Sequence, residues 1–114
     1  MIRVRSVKVD GTVYRNNMVL LCHFEDGMPV FGEIKHIIMT HSKEVLFVML
    51  PLIAEYLERH YHAFKVLSVP TKILVYHPHE LADYHPLTTS KSHSSVDHST
   101  YVCMKYFVCN LNEV

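Results

Sequence analysis

Val7-Lys8-Val9-Asp10-Gly11-Thr12-Val13-Tyr14 opens the stretch that decides the fold, and its alternation of apolar runs with tight-turn residues continues to Met39. Asp10-Gly11 is flanked by β-branched residues, and both tolerate the positive φ that a two-residue type I′ hairpin requires. Asn16-Asn17 is a second turn signal, because Asn enters the left-handed region more readily than most residues. Met18 to Phe24 is nearly all apolar without strict alternation, as expected of a strand covered on both faces. Asp26-Gly27 predicts another hairpin, and Pro29 opens the next strand, where a missing N–H does little harm.

From Val30 onward the parity of Val30, Gly32, Ile34, His36 and Ile38 is the more apolar and is expected to face inward. Gly32 on that face predicts a bend or a close backbone approach. Val45 to Leu50 reads as a further buried strand. In Pro51 to Tyr61, Leu52, Ile53, Tyr56 and Leu57 recur at helical spacing, which predicts one or two helical turns, with an extended segment as the rival reading. Strands are expected again at Tyr61–Val69, Ile73–Tyr76 and Tyr101–Val108. Pro78 to Tyr84 suits a single helical turn with Pro78 at its first position.

These elements predict a mostly β chain: a small antiparallel β-barrel of five to seven strands with one or two short helical turns. The 114 residues form a single barrel-like domain, 1–114, with a flexible Ser- and His-rich loop at 87–100.

Composition narrows the class. Eleven basic residues balance eleven acidic ones, so no global field draws the chain to nucleic acid or an anionic membrane. Three cysteines fit no closed disulfide framework. Extended, Cys103 and Cys109 lie roughly 20 Å apart along a strand, too far to bridge. A reducing compartment follows. Met1-Ile2-Arg3-Val4-Arg5 places charge before any long apolar segment, unlike a signal peptide, and Val45–Ala54 is short of the ~20 residues of a membrane span. The expectation is an intracellular protein of nucleus or cytoplasm with no membrane partner.

Tyr14-Arg15-Asn16-Asn17-Met18-Val19 followed by Pro29-Val30-Phe31-Gly32-Glu33-Ile34 is similar to the opening of bromo-adjacent homology (BAH) domains, and the broad shape resembles Tudor-like chromatin barrels. Phe31-Gly32-Glu33-Ile34 followed by His60-Tyr61-His62-Ala63-Phe64-Lys65-Val66 also resembles the terminal module of uncharacterised transposon-derived animal proteins. The resemblance implies a nuclear interaction module derived from a mobile element. Met18 and the absence of tryptophan depart from the usual BAH pattern.

Tyr14, Phe31, Tyr61 and Phe64 are the candidate binding aromatics, placed near strand ends where barrel readers cage alkylated amines. The plain alternative is that they are core residues. Arg3, Arg5 and Arg15, with Lys8, form the one basic cluster and a weak candidate nucleic-acid contact; a solvated edge strand protected by charge explains the same residues. Ten histidines raise metal as an alternative, through His60 and His62 with His77 and His79, each pair sharing a strand face. Half-buried or loop histidines account for the same pairs. Cys22-His23 are adjacent and would point to opposite faces, and the Ser94–Ser99 triad-type residues lack a nucleophile elbow.

The sequence therefore predicts a non-catalytic interaction module, not an enzyme. It takes no cofactor and contacts a protein or chromatin component, or nucleic acid. Self-association by strand-edge pairing is a further alternative.

Overall fold

The structure, a computed structural model, describes residues 1–59, 63–91 and 99–103. Ten strands follow in order: β1 (Ile2–Val4), β2 (Ser6–Val9), β3 (Thr12–Arg15), β4 (Val19–Glu25), β5 (Met28–Met39), β6 (Val45–Glu58), β7 (Ala63–Ser68), β8 (Leu74–Tyr76), β9 (Thr88–Lys91) and β10 (Thr100–Cys103). A 3₁₀ turn at Pro78–Glu80 lies between β8 and β9, with Pro78 at its start as expected. The chain is mostly β, and its main antiparallel sheet curls into a half-barrel.

The turn chemistry is as expected. Asp10 and Gly11 have φ of 49° and 87°, and Asp26 and Gly27 have 50° and 80°, so both hairpins place two successive residues in the left-handed region. The wall of the half-barrel runs β4-β5-β6-β7-β10-β9. Val19 of β4 bridges Leu87, just before β9, and so brings the two ends of the curl together. The terminal strand thus pairs with β7 and β9, but the seam is made by Leu87.

One sheet carries a core on each face. Val19, Leu21, Phe31, Leu52, Ala54, Phe64, Val66 and Val102 fill the inside of the curl. Leu20, Cys22, Ile34, Ile37, Phe47 and Met49 line the opposite face and are covered by Tyr14, Val7 and Val9 of the β2–β3 hairpin. This is why Val19 to Cys22 are all buried: alternate side chains enter different cores.

Three β-bulges break the simple parity. The bulge at Lys35 swings Ile37 inward in place of His36 and Ile38, correcting the expected inward set of β5. The expected helical turns after Pro51 are absent. Residues 45–58 form one strand, held by β5 on one side and by β8 and then β7 on the other. Pro51 is tolerated in that central strand because it falls where the partner changes from β8 to β7, and its carbonyl accepts the Val69 N–H at 3.1 Å. The loop expected over 87–100 is instead paired at both its ends, as Thr88–Lys91 against Thr100–Cys103. Residues 92–98 between them lie outside the described residues, as do 104–108 of the expected last strand.

Among the described residues no helix is long and apolar enough to cross a membrane.

Candidate docking surface

β5 and β6 are 12 and 14 residues long, and their length creates two different environments on one face. Near Phe31 and Leu52, that face looks into the curl. Beyond Leu50 the same face runs out onto an arm built from β1, β5, β6 and β8. The cross-strand register aligns Arg3, Ile38 and Leu46 in one row and His36, Val48 and Val75 in the next. Side chains two apart along β6 then grade from half-buried Leu46, Val48 and Leu50 to buried Leu52 and Ala54. Val75 is 54% exposed. The other face of the arm is sealed: Val4, Ile37, Phe47 and Tyr76 pack beneath the hairpin. Among the described residues no element covers this face of the four-strand platform, which Arg3 and His36 border.

The structure places the aromatic candidates elsewhere. Tyr14 is 1% exposed; its ring packs on Phe47 at a centroid distance of 4.9 Å, and its hydroxyl donates to the Tyr84 carbonyl at 2.7 Å. Phe31 and Phe64 are 0% and 5% exposed and lie against each other at 6.0 Å inside the curl. These rings belong to two cores on opposite faces of the sheet and form no cage at the rim. Tyr61 lies outside the described residues.

Arg3, Arg5 and Arg15 are exposed but do not share a face. Val4 faces the hairpin-covered core, so Arg3 faces the opposite side, beside Ile38. Arg15 lies on the outer side of the hairpin, diagonal to Lys8 across the Ser6↔Arg15 and Lys8↔Val13 pairs. Arg5 stands in the bend between β1 and β2. None of these four cations has an ion-pair partner among the described residues.

His77 and His79 flank Pro78 at the 3₁₀ turn, not on a strand. Their rings stack at 5.3 Å and 20°, which sets their in-plane nitrogens side by side instead of converging them. His77 Nδ1 is taken up by the Val45 carbonyl at 3.2 Å. His60 and His62 lie outside the described residues. Among the described residues no group of three or more His, Cys, Asp or Glu side chains is arranged to hold a metal ion. A groove of about 770 Å³ beside this turn is walled by Asp10, Lys43, Glu44, His77 and Tyr84, with two carboxylates against one ammonium.

Cys22 is the extra residue of the β4 bulge, buried against Met49 and Gly32, and burial pushes its thiol up to about 12. A thiol held neutral there is a packing group, not a nucleophile. His23 is engaged elsewhere, its Nδ1 sharing a hydrogen bond with the Tyr76 hydroxyl at 2.6 Å and its Nε2 facing Glu25 at 3.4 Å.

Sequence reasoning missed Ile38, Leu46, Val48 and Val75. The available signal was the unbroken apolar run Val45–Leu50, which needs a cover on each face, while one two-stranded hairpin supplies a single cover. Searches of family models, curated proteins and solved structures find no match to this chain.

Proposed function

We propose that this chain is a non-catalytic interaction module that docks a protein partner on the open arm face of Ile38, Leu46, Val48 and Val75. The observation that carries the reading is the two-row apolar face that no described element covers, half-buried at Ile38, Leu46 and Val48 and exposed at Val75, on a platform whose other side is packed. Exposed apolar patches rimmed by polar groups mark protein contacts, since water otherwise wets hydrocarbon at a cost of ~25 cal/mol per Å². Arg3 and His36 border the patch, so the fitting partner carries an apolar ridge with carboxylates beside it. A chromatin protein is the partner class that the BAH-like and Tudor-like resemblance implies, and recognition would run through this sheet face, not an aromatic cage.

A photo-crosslinking amino acid at position 48, compared with one at position 8 on the outer hairpin, tests this. The expected result is a discrete protein adduct from position 48 that Leu46→Lys abolishes while the melting temperature is kept. Adducts from position 8 alone, or the same adducts from both positions, would refute it.

A second reading rests on Arg5, Lys8 and Arg15, cations unpaired among the described residues: a nucleic-acid backbone contact on the outer hairpin. Duplex binding at low salt that weakens with added salt and with Lys8→Glu plus Arg15→Glu supports it, and no binding at low salt removes it.

A further inference from the structure

Where the arm meets the curl, the sheet opens into a cavity of about 550 Å³, within the size range of small-molecule sites. Almost fully buried Val19, Leu52 and Val66 of the inner core form its floor, half-buried Leu50 extends them toward the arm, and the wall around them is largely polar. At ~30 Å³ per molecule the space holds on the order of 18 waters over that floor. Hydrocarbon would displace them favourably.

The rim decides what kind of molecule fits. Glu33 and Lys65 line it, but Lys65 stands between inward-facing Phe64 and Val66 and sends its ammonium to the outer face, 3.8 Å from Glu55 and 5.7 Å from the Tyr56 ring centroid. Glu33 is already paired with Lys35 Nζ at 3.0 Å. A cationic head group would compete with Lys35 for that carboxylate, and an anionic one would be repelled by it. The other rim hydroxyls are those of Ser68, Thr89 and Thr100, contributed by β7, β9 and the start of β10, and a hydroxyl both donates and accepts hydrogen bonds.

We infer that the mouth of the half-barrel binds a neutral amphipathic small molecule, its hydrocarbon on Val19, Leu52 and Val66 and its uncharged polar head among the Ser and Thr hydroxyls. The site adjoins the arm face at Leu50 and differs from it in the polar rim that the arm lacks.

The probe is Nile red, a neutral solvatochromic dye, titrated into the full chain and displaced with ten-carbon competitors. Saturable one-to-one binding with a blue-shifted emission is expected. 1-Decanol should displace the dye at least tenfold more effectively than decanoate or decyltrimethylammonium at equal concentration. Thr89→Arg, an exposed rim change that leaves the core intact, and Leu50→Glu should each weaken dye binding tenfold or more, while Leu46→Lys, farther out on the arm, leaves it unchanged. The inference is overturned by non-saturable binding, by equal displacement with the charged competitors, by wild-type affinity in Thr89→Arg, or by loss of binding in Leu46→Lys.

Discussion

Gly32 is where the two central strands and the bulge of β4 come closest, and Gly32→Ala measures how close. A Cβ added there would lie 2.9 Å from Cys22 Sγ, 3.0 Å from Met49 Sδ and 3.1 Å from Met49 Cβ. Non-bonded carbon contacts relax at about 3.5–4.0 Å, so the methyl intrudes by roughly half an ångström or more. Met49 Sδ can swing aside, but Met49 Cβ is fixed to β6 and Cys22 is pinned in the bulge. Overpacking of this kind costs about 1–3 kcal/mol. Gly32 does not have a positive φ, so the substitution also restricts the unfolded chain, which returns about 0.4–1 kcal/mol. The clash wins, and the net loss is about 1–2 kcal/mol. Urea unfolding should show a lower midpoint at unchanged slope. Cys22→Ala removes the nearest obstacle and by itself costs about 1 kcal/mol through the space it leaves. The double variant should therefore lose about 1 kcal/mol less than the sum of the singles. A neutral or stabilising Gly32→Ala, or strict additivity with Cys22→Ala, would refute the close approach.

Two further predictions follow from buried hydroxyl and thiol groups. The Cys22 thiol is raised from 9.0 to about 12 by burial, so the fold favours its neutral form. The stability this contributes is complete below pH 9 and is lost as pH rises toward 12; Cys22→Ala should flatten the decline over that window in alkaline melting curves, and native Cys22 should react with a disulfide reagent at pH 8 far more slowly than half-buried Cys103. Equal labelling of the two would contradict this. Tyr14→Phe keeps the ring on Phe47 but deletes the hydrogen bond to the Tyr84 carbonyl, at about 1 kcal/mol. Amide exchange at Ala82, Asp83 and Leu87 should then accelerate roughly fivefold, and unchanged exchange would show that the hydroxyl does not anchor that segment.

The strands and hairpins of the first forty residues were legible because their causes are local. Asp10-Gly11 and Asp26-Gly27 adopt the φ angles that their turn demands wherever they occur. The two-sided burial of Val19 to Cys22 was legible for the same reason: an apolar residue at every position admits no polar face. What failed was parity across bulges. At Glu55 the extra residue moves Leu57 to the side of Ala54 and leaves Ile53 and Tyr56 together on the other side. Apolar residues then recur three apart on each face, which imitates the spacing of a helix. The Lys35 bulge hid Ile37 in the same way. Thr88–Lys91 has the composition of a loop and becomes a strand through its register with β10, a partner distant in sequence. The candidate site was the least legible part. An aromatic ring reads alike whether it fills a core, as Tyr14, Phe31 and Phe64 do, or lines a rim. The open face of the arm arises from the mismatch between long β5 and β6 and their short neighbours, a property of assembly that no segment contains alone.

The joint between β4 and the chain leading into β9 is slender. Among the described residues its main-chain links run from Ala82 to Cys22, Asp83 to Leu21 and Leu87 to Val19, at 3.0, 3.3 and 2.8 Å. A wall stitched by a continuous ladder opens only when the whole molecule melts, whereas this one can part along a single line while the remaining strands stay zipped. Solvent would then reach Val19 and Leu21 of the inner core first through that narrow joint, with the rest of the fold left undisturbed.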